Sequence, residues 1–138
     1  SSGVRWSNGS CNGGDAKAMR EGAFGGASNT KRITETEGSP CTGPYAAFIC
    51  AKYTGGGYGD WYLPAKEELN QMYLNKTIIN TTANANGGSS FATDYYWSST
   101  EYDNNAATQA WRQKFNNGSQ SNTSKTYPSC YVRAIRAF

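Results

Sequence analysis

Two basic residues on one predicted strand have the spacing of a small anion-binding cluster. Residues 107–115 alternate in the manner of a β-strand, so Arg112 and Lys114 project from the same face. Lys125, in the polar segment that follows, is expected to approach that face. A guanidinium binds an oxyanion through two hydrogen bonds and an ammonium adds a point charge, which suits sulfate groups. The alternative is a solvated strand face whose cations keep a sheet edge from pairing.

Four further residues are candidates for ligand contact. Lys31 and Arg32 form a second basic pair, although the acidic residues Glu35 and Glu37 follow closely. Tyr95 and Tyr102, at the edges of a predicted strand, are placed to contact a ligand through their rings.

Other basic and aromatic residues are better explained as structural. Trp97 and Trp111 are expected to fill the core. Arg133 and Arg136 lie near the end of the chain on a segment predicted to be internal, and we expect them to bind carboxylates or carbonyl groups.

The sequence gives little support for catalysis or metal binding. It contains no histidine, which excludes histidine-based triads and histidine-ligated zinc. Glu67 and Glu68 are adjacent on a predicted helix, where they fit the helix dipole better than a catalytic pair. The oxygen-rich residues 101–105 favour an ordinary Asx-rich loop over a calcium site. We therefore expect no enzyme activity and no cofactor, with a calcium-dependent lectin or a glycan hydrolase as alternatives.

Length and composition fit one folded domain. The chain has 138 residues, of which 37% are hydrophobic, 14% aromatic and 17% charged. The net charge of +3 permits an anionic partner without requiring one. The longest apolar stretch, residues 45–51, is far shorter than the ~20 residues of a membrane helix. We expect neither membrane insertion nor a nucleic-acid partner, and no signal peptide opens the sequence.

Secondary structure is signalled clearly in only part of the chain. Proline at the start and apolar spacing predict helices near residues 45–53 and 64–76. Alternation predicts strands at residues 95–100, 107–115 and 130–138. The first forty residues are expected to form loops and edge strands, and residues 77–94 a long loop.

Four cysteines point to export from the cell. They are Cys11, Cys41, Cys50 and Cys130, an even number without a C-x-x-C motif. Two disulfides fit this pattern better than buried free thiols, and disulfides persist in oxidising compartments. Spacing alone leaves all three pairings open.

Three motifs in a fixed order resemble a known family. They are Gly59-Asp60-Trp61-Tyr62-Leu63-Pro64, Tyr96-Trp97-Ser98-Ser99-Thr100 and Val132-Arg133-Ala134-Ile135-Arg136. Together they resemble the C-terminal domain of bacterial collagen-like adhesins, the Legionella-type Lcl family. The resemblance covers residues 44–138, and residues 1–43 match loosely.

The resemblance implies a fold and a disulfide pattern. The fold is α+β and C-type-lectin-like, with two helices packed on short antiparallel sheets, long loops and a single domain over residues 1–138. In this fold a disulfide ties the first helix to the last strand, which implies Cys50–Cys130 and leaves Cys11 with Cys41.

The resemblance also implies a function. It places the ligand surface between residues 79 and 125 and implies binding of sulfated glycosaminoglycans such as heparin or chondroitin sulfate, without calcium. It further implies a secreted or cell-surface adhesin for host attachment and biofilm formation, trimerised by a collagen-like stalk outside this fragment. The alternative is a hypervariable display protein of a diversity-generating retroelement, for which the Asn-rich residues 104–122 would be the variable loop.

Overall fold

The computed structural model describes residues 3–9 and 14–137. Within these ranges the chain is α+β, with four α-helices and one three-stranded antiparallel sheet. The helices are α1 (Gly25–Glu37), α2 (Ala46–Lys52), α3 (Lys66–Leu74) and α4 (Lys76–Ala85), and the strands are β1 (Tyr95–Glu101), β2 (Gln109–Lys114) and β3 (Gln120–Ser124). None of the described helices is long and apolar enough to cross a membrane.

The two helices with clear start signals are confirmed. α2 and α3 lie within the predicted ranges, each shortly after a proline. Glu68, in the first turn of α3, accepts hydrogen bonds from the backbone N–H groups of Ala65 (3.0 Å) and Gly26 (2.7 Å). One carboxylate therefore both satisfies the N-terminus of α3 and ties it to the start of α1.

Helix α1 forms where loops and edge strands were predicted, because buried side chains hold it. The Asn29 side chain forms two hydrogen bonds with the backbone of Arg20: it accepts the Arg20 N–H and donates to the Arg20 carbonyl, both at 2.9 Å. The Thr30 hydroxyl accepts the N–H of Leu63 at 3.0 Å, and Ile33 is fully buried. Glycine and threonine give this segment a weak intrinsic helix preference, which the tertiary contacts override.

Helix α4 replaces the first half of the predicted long loop. Ile79 packs against the cluster that contains Phe91, and Asn80 Oδ1 accepts the N–H of Phe91 at 2.8 Å. These contacts join α4 to the segment around Phe91 that follows it. The polar sequence of α4 did not predict them.

The sheet has the order β1-β2-β3, and its third strand was not predicted. β2 pairs with β1 through Tyr95↔Lys114 and Trp97↔Arg112, with an irregular register between Trp97 and Glu101. β3 consists entirely of polar residues, so it carries none of the apolar alternation by which strands are recognised.

The predicted closing strand is wrong in detail. Residues 130–137 form isolated bridges instead of a continuous strand: Val4↔Cys130, Tyr96↔Tyr131 and Tyr62↔Ile135. Each bridge uses a different neighbour, so the segment links several parts of the chain without joining one sheet.

Two apolar clusters form the core. The larger contains Trp6, Ile33 and Trp97 against α2, and the smaller contains Tyr96 and Phe115 against α3. The prediction that Trp97 is a core residue is confirmed, since it is fully buried and its indole N–H donates to the Val4 carbonyl at 2.8 Å.

The predicted Cys50–Cys130 disulfide is wrong. Both residues are free thiols, fully buried in the larger cluster, where they pack as small apolar side chains. Burial raises the pKa of the Cys50 thiol to about 12 and that of Cys130 to about 11, which favours the protonated form. Cys41 is disulfide-bonded, whereas its predicted partner Cys11 lies outside the described residues.

Candidate functional site

The two faces of strand β2 carry different chemistry. Arg112 lies opposite Trp97 and Lys114 opposite Tyr95, so both basic side chains leave the sheet on the same side. Gln113, between them, is buried on the other side. The predicted alternation, and with it the pairing of the two cations, is confirmed.

Arg112 is held in place by its neighbours. Its guanidinium carbon lies 3.8 Å from the ring centroid of Tyr95 and 5.2 Å from that of Tyr127. Nε donates to the Ser121 hydroxyl at 3.3 Å, and Nη1 lies 4.0 Å from the Cys130 sulfur. Stacking and hydrogen bonding together restrict the rotamers of this half-buried side chain.

Lys114 extends the same surface. Its ammonium lies 5.4 Å from the Tyr95 centroid. Among the described residues, no carboxylate lies within 4.0 Å of either cation. We call this surface the Arg112 face; it consists of Tyr95, Arg112, Lys114, Ser121 and Tyr127.

Lys125 does not join the Arg112 face, which corrects the sequence prediction. Its side chain is only 3% exposed, and its ammonium pairs with Glu101 Oε1 at 2.5 Å. It also donates to the Gly14 carbonyl at 2.6 Å and lies 4.3 Å from the Trp6 ring centroid. The positive charge is thus neutralised inside the protein.

Glu101 explains why Lys125 is drawn inward. The two carboxylate oxygens accept the backbone N–H groups of Ala16 and Ala18, both at 2.8 Å. This fully buried carboxylate clamps the N-terminal segment to the end of β1, and a buried charge needs a partner. Glu101 is therefore occupied by internal contacts, and Asp103 lines a groove on the opposite side of β2.

The other predicted contact residues lie on other elements. Lys31 and Arg32 are exposed on α1, and the Lys31 ammonium lies 3.9 Å from Glu35 Oε1. Tyr102 is half-buried against Trp111, edge to face, with centroids 5.3 Å apart. In the described part of the chain, no hydrogen bond, ion pair or ring contact joins these three residues to the Arg112 face.

The structural roles expected for two arginines are confirmed. Arg133 donates to the Ser89 carbonyl at 3.0 Å. Arg136 binds Asp60 through two hydrogen bonds, at 2.8 and 3.0 Å, and stacks over Tyr58 at 3.6 Å. The hydrogen bonds from Arg136 lower the pKa of the Asp60 carboxyl.

Two residues of the Arg112 face were missed from the sequence. Ser121 reaches Arg112 because β3 pairs with β2 in the register Arg112↔Ser121. Tyr127, 41% exposed, follows the turn after β3. Neither residue could be placed on this face from the sequence, because β3 lacks the apolar alternation that predicts a strand.

A groove lies on the opposite side of β2. Trp111, expected in the core, is instead half-buried and lines a cavity of about 570 Å³. We call it the Trp111 groove; its polar and aromatic lining includes Glu21, Lys66, Asn70, Asp103, Trp111 and Gln120. Within residues 3–9 and 14–137, no group of three His, Cys, Asp or Glu side chains is placed to hold a metal ion.

A family model described as the Lcl C-terminal domain matches residues 1–136. The chain belongs to the Lcl C-terminal domain family. This family is a non-catalytic one associated with collagen-like adhesins, and the match includes the first 43 residues, where the sequence motifs resembled the family only loosely. A comparison with the curated proteins found no match.

Proposed function

We propose that this domain binds sulfated polysaccharide, such as heparin or chondroitin sulfate, through the Arg112 face and without calcium. One observation carries the proposal. Two cations leave the same strand face, and no described carboxylate lies within 4.0 Å to neutralise them.

Arg112 has the donors that an oxyanion needs. A guanidinium carries five N–H groups, of which Nε–H is directed to Ser121 and one Nη1–H to the Cys130 sulfur. The remaining donors are free to form two hydrogen bonds with one sulfate. Because Tyr95 and Ser121 already hold the side chain, binding loses less conformational entropy than it would at a mobile arginine.

Lys114 supplies a second, more mobile charge. Alternate residues of a strand are separated by about 6.6 Å along its axis. At this spacing the ammonium can meet a second anionic group on the same polymer while Arg112 holds the first. The two cations therefore favour a ligand with repeated charges over a single small anion.

Assembly would raise the affinity of such a small site. We propose a homotrimer, joined through a collagen-like stalk outside this fragment and displayed as a secreted or cell-surface adhesin for host attachment and biofilm formation. The family's association with collagen-like adhesins supports this. Three linked sites on one polymer gain avidity without any new contact.

The C-type-lectin-like arrangement belongs to the same proposal. Its support is the close pairing of the two chain ends, through Val4↔Cys130, and a small sheet joined by long irregular segments. This scaffold would present the Arg112 face on a rigid strand pair.

Heparin-affinity chromatography tests the proposed function. Arg112→Gln/Lys114→Gln should elute at clearly lower salt than the wild type. The matched variant Lys31→Gln/Arg32→Gln makes the same change in net charge on α1 and should elute close to the wild type. Equal loss of retention in both variants, or loss of wild-type retention on adding a calcium chelator, would contradict the proposal.

A further inference from the structure

We propose that the Trp111 groove is a second ligand site, which takes a neutral hexopyranose ring through its hydroxyl groups. The site is separate from the Arg112 face, because Trp111 and Arg112 are consecutive residues of β2 and project to opposite sides of the sheet. The inference does not depend on binding of sulfated polysaccharide.

An aromatic wall forms one side of the groove. The Trp111 indole packs nearly perpendicular to the Tyr102 ring, with centroids 5.3 Å apart, and the Lys66 ammonium lies over the indole, 3.6 Å from its centroid. The half-buried indole borders a cavity of about 570 Å³, which is in the size range of small-molecule sites. Because Lys66 covers one face of the ring, the part of the indole that lines the cavity is the aromatic surface that the C–H groups of a sugar can contact.

The groove also contains fixed acceptors. Glu21 accepts the Thr100 hydroxyl at 2.7 Å through one carboxylate oxygen and the N–H of Glu67 at 2.9 Å through the other. A carboxylate has about four acceptor positions, so each oxygen of Glu21 can accept one more hydrogen bond. Asp103, exposed in the turn after β1, adds a second carboxylate at the rim.

Amide groups supply oriented donors. Asn70 Oδ1 accepts the buried Gln113 amide at 2.7 Å, which fixes the orientation of the Asn70 side chain. In the described part of the chain no acceptor pairs with Asn70 Nδ2, so this donor is free. The exposed Gln120 side chain lines the same cavity and adds a second amide.

The charges that line the groove select against anionic ligands. The carboxylates of Glu21, Glu67 and Asp103 outnumber the Lys66 ammonium, which is already held over the Trp111 ring, so a sulfate is disfavoured. A hydroxyl group both donates and accepts, so neighbouring hydroxyls of one ring can use the acceptors and the donors together. A neutral sugar can therefore use both the acceptors and the donors of the groove.

Nuclear magnetic resonance with three methyl glycosides tests the inference. Methyl β-D-glucopyranoside, methyl β-D-galactopyranoside and methyl α-D-mannopyranoside are titrated separately into the whole chain. At least one should shift the indole N–H signal of Trp111 and the side-chain amide signals of Asn70 and Gln120, with a dissociation constant roughly in the millimolar range.

Two variants and one control locate the binding. Trp111→Leu should weaken the binding about tenfold or more. Gln120→Ala, which truncates an exposed side chain of β3, should weaken it several-fold. Lys31→Gln/Arg32→Gln should bind the glycoside as the wild type does.

Three results would overturn the inference. They are no response to any of the glycosides, a response confined to residues outside the groove, and equal or tighter binding of the same glycoside carrying a 6-sulfate. None of them bears on heparin retention by the Arg112 face, and an unaltered heparin elution of Arg112→Gln/Lys114→Gln would not bear on glycoside binding. The two proposals therefore fail separately.

Discussion

The Arg112 face and the Glu101–Lys125 pair show how one hairpin uses basic residues in two different ways. Arg112 lies over Tyr95 with no described carboxylate within 4.0 Å, whereas Lys125 is buried against Glu101 at 2.5 Å. The first arrangement leaves charge available to a ligand. In the second arrangement Glu101 neutralises the charge of Lys125 inside the protein, and the pair holds the N-terminal segment in place. The comparison shows that a basic residue is available to a ligand only where the fold places no carboxylate beside it.

The two regions should respond differently to the loss of charge. Removing Lys125 leaves Glu101 buried without its counter-ion, which costs stability. Removing Lys114 or Arg112 exposes no buried charge and should affect binding above all. The following predictions test this difference, beginning with the largest effect.

The same substitution at two lysines gives the largest contrast. Lys125→Met keeps the length of the side chain but leaves the buried Glu101 carboxylate unpaired, so we expect the free energy of unfolding to fall by about 3–5 kcal/mol. Lys114→Met, at a half-buried lysine that forms no ion pair with a described residue, should change it by less than about 0.5 kcal/mol. Urea denaturation of both variants measures the difference. An equal loss of unfolding free energy in the two variants would contradict the distinction between the two regions.

Thiol labelling compares Cys130, which contacts Arg112, with Cys50, which lies in the core on α2. Burial raises the pKa of Cys50 to about 12 and that of Cys130 to about 11, and at Cys130 the nearby Arg112 guanidinium opposes the effect of burial. At mildly alkaline pH, both raised pKa values lower the thiolate fraction and slow alkylation of the native protein. We expect mass spectrometry to find Cys130 labelled before Cys50, and both labelled rapidly only after unfolding.

Arg112→Gln is the control for this order of labelling. Without the guanidinium the pKa of Cys130 should rise further, so its alkylation should slow while that of Cys50 stays the same. Faster labelling of Cys130 in the variant would show that Arg112 shields the thiol sterically instead of stabilising the thiolate.

Tyr95 tests whether the Arg112 face is held in place before binding. Tyr95→Leu removes the ring under the guanidinium, and cation–π contacts at exposed sites contribute about 0.5–1 kcal/mol. We therefore expect heparin affinity to fall roughly two- to fivefold, as measured by calorimetry. Tyr53→Leu, which alters an exposed tyrosine packed against Trp61, is the matched control and should leave the affinity unchanged.

The smallest effect is expected at the exposed Asp60–Arg136 pair. Arg136 lowers the pKa of Asp60, so the pair stabilises the fold above the ordinary carboxyl pKa, and this contribution is lost as pH falls through the lowered value. Asp60→Asn should lower the urea midpoint slightly at neutral pH, and the difference from the wild type should close in strong acid. A difference that grows in acid would contradict this assignment.

Much of the fold could be predicted where local signals were strong. Prolines and apolar spacing identified α2 and α3, and alternation identified β1 and β2. α1, α4 and β3 were missed because their residues are mostly polar or poor helix formers. Their stability comes from contacts distant in sequence, such as the hydrogen bonds of Asn29 and the pairing of β3 with β2.

The candidate site could be predicted only in part, for the same reason. Strand periodicity brought Arg112 and Lys114 to one face, but it could not reveal that the N-terminal segment needs Glu101 and that Glu101 needs Lys125. Trp111 was assigned to the core because large aromatic residues are usually buried there. In the structure it is half-buried, and the Lys66 ammonium at the start of α3 lies over its ring.

The most direct test of the central claim is a nuclear magnetic resonance titration of the whole chain with a heparin tetrasaccharide. Binding at the Arg112 face predicts that the largest shifts fall on the Arg112 Nε–H signal and on the backbone signals of Lys114, Ser121 and Tyr127. Lys125, which is buried, should shift little. Largest shifts at Lys31 and Arg32, or no saturable shifts at all, would contradict the claim.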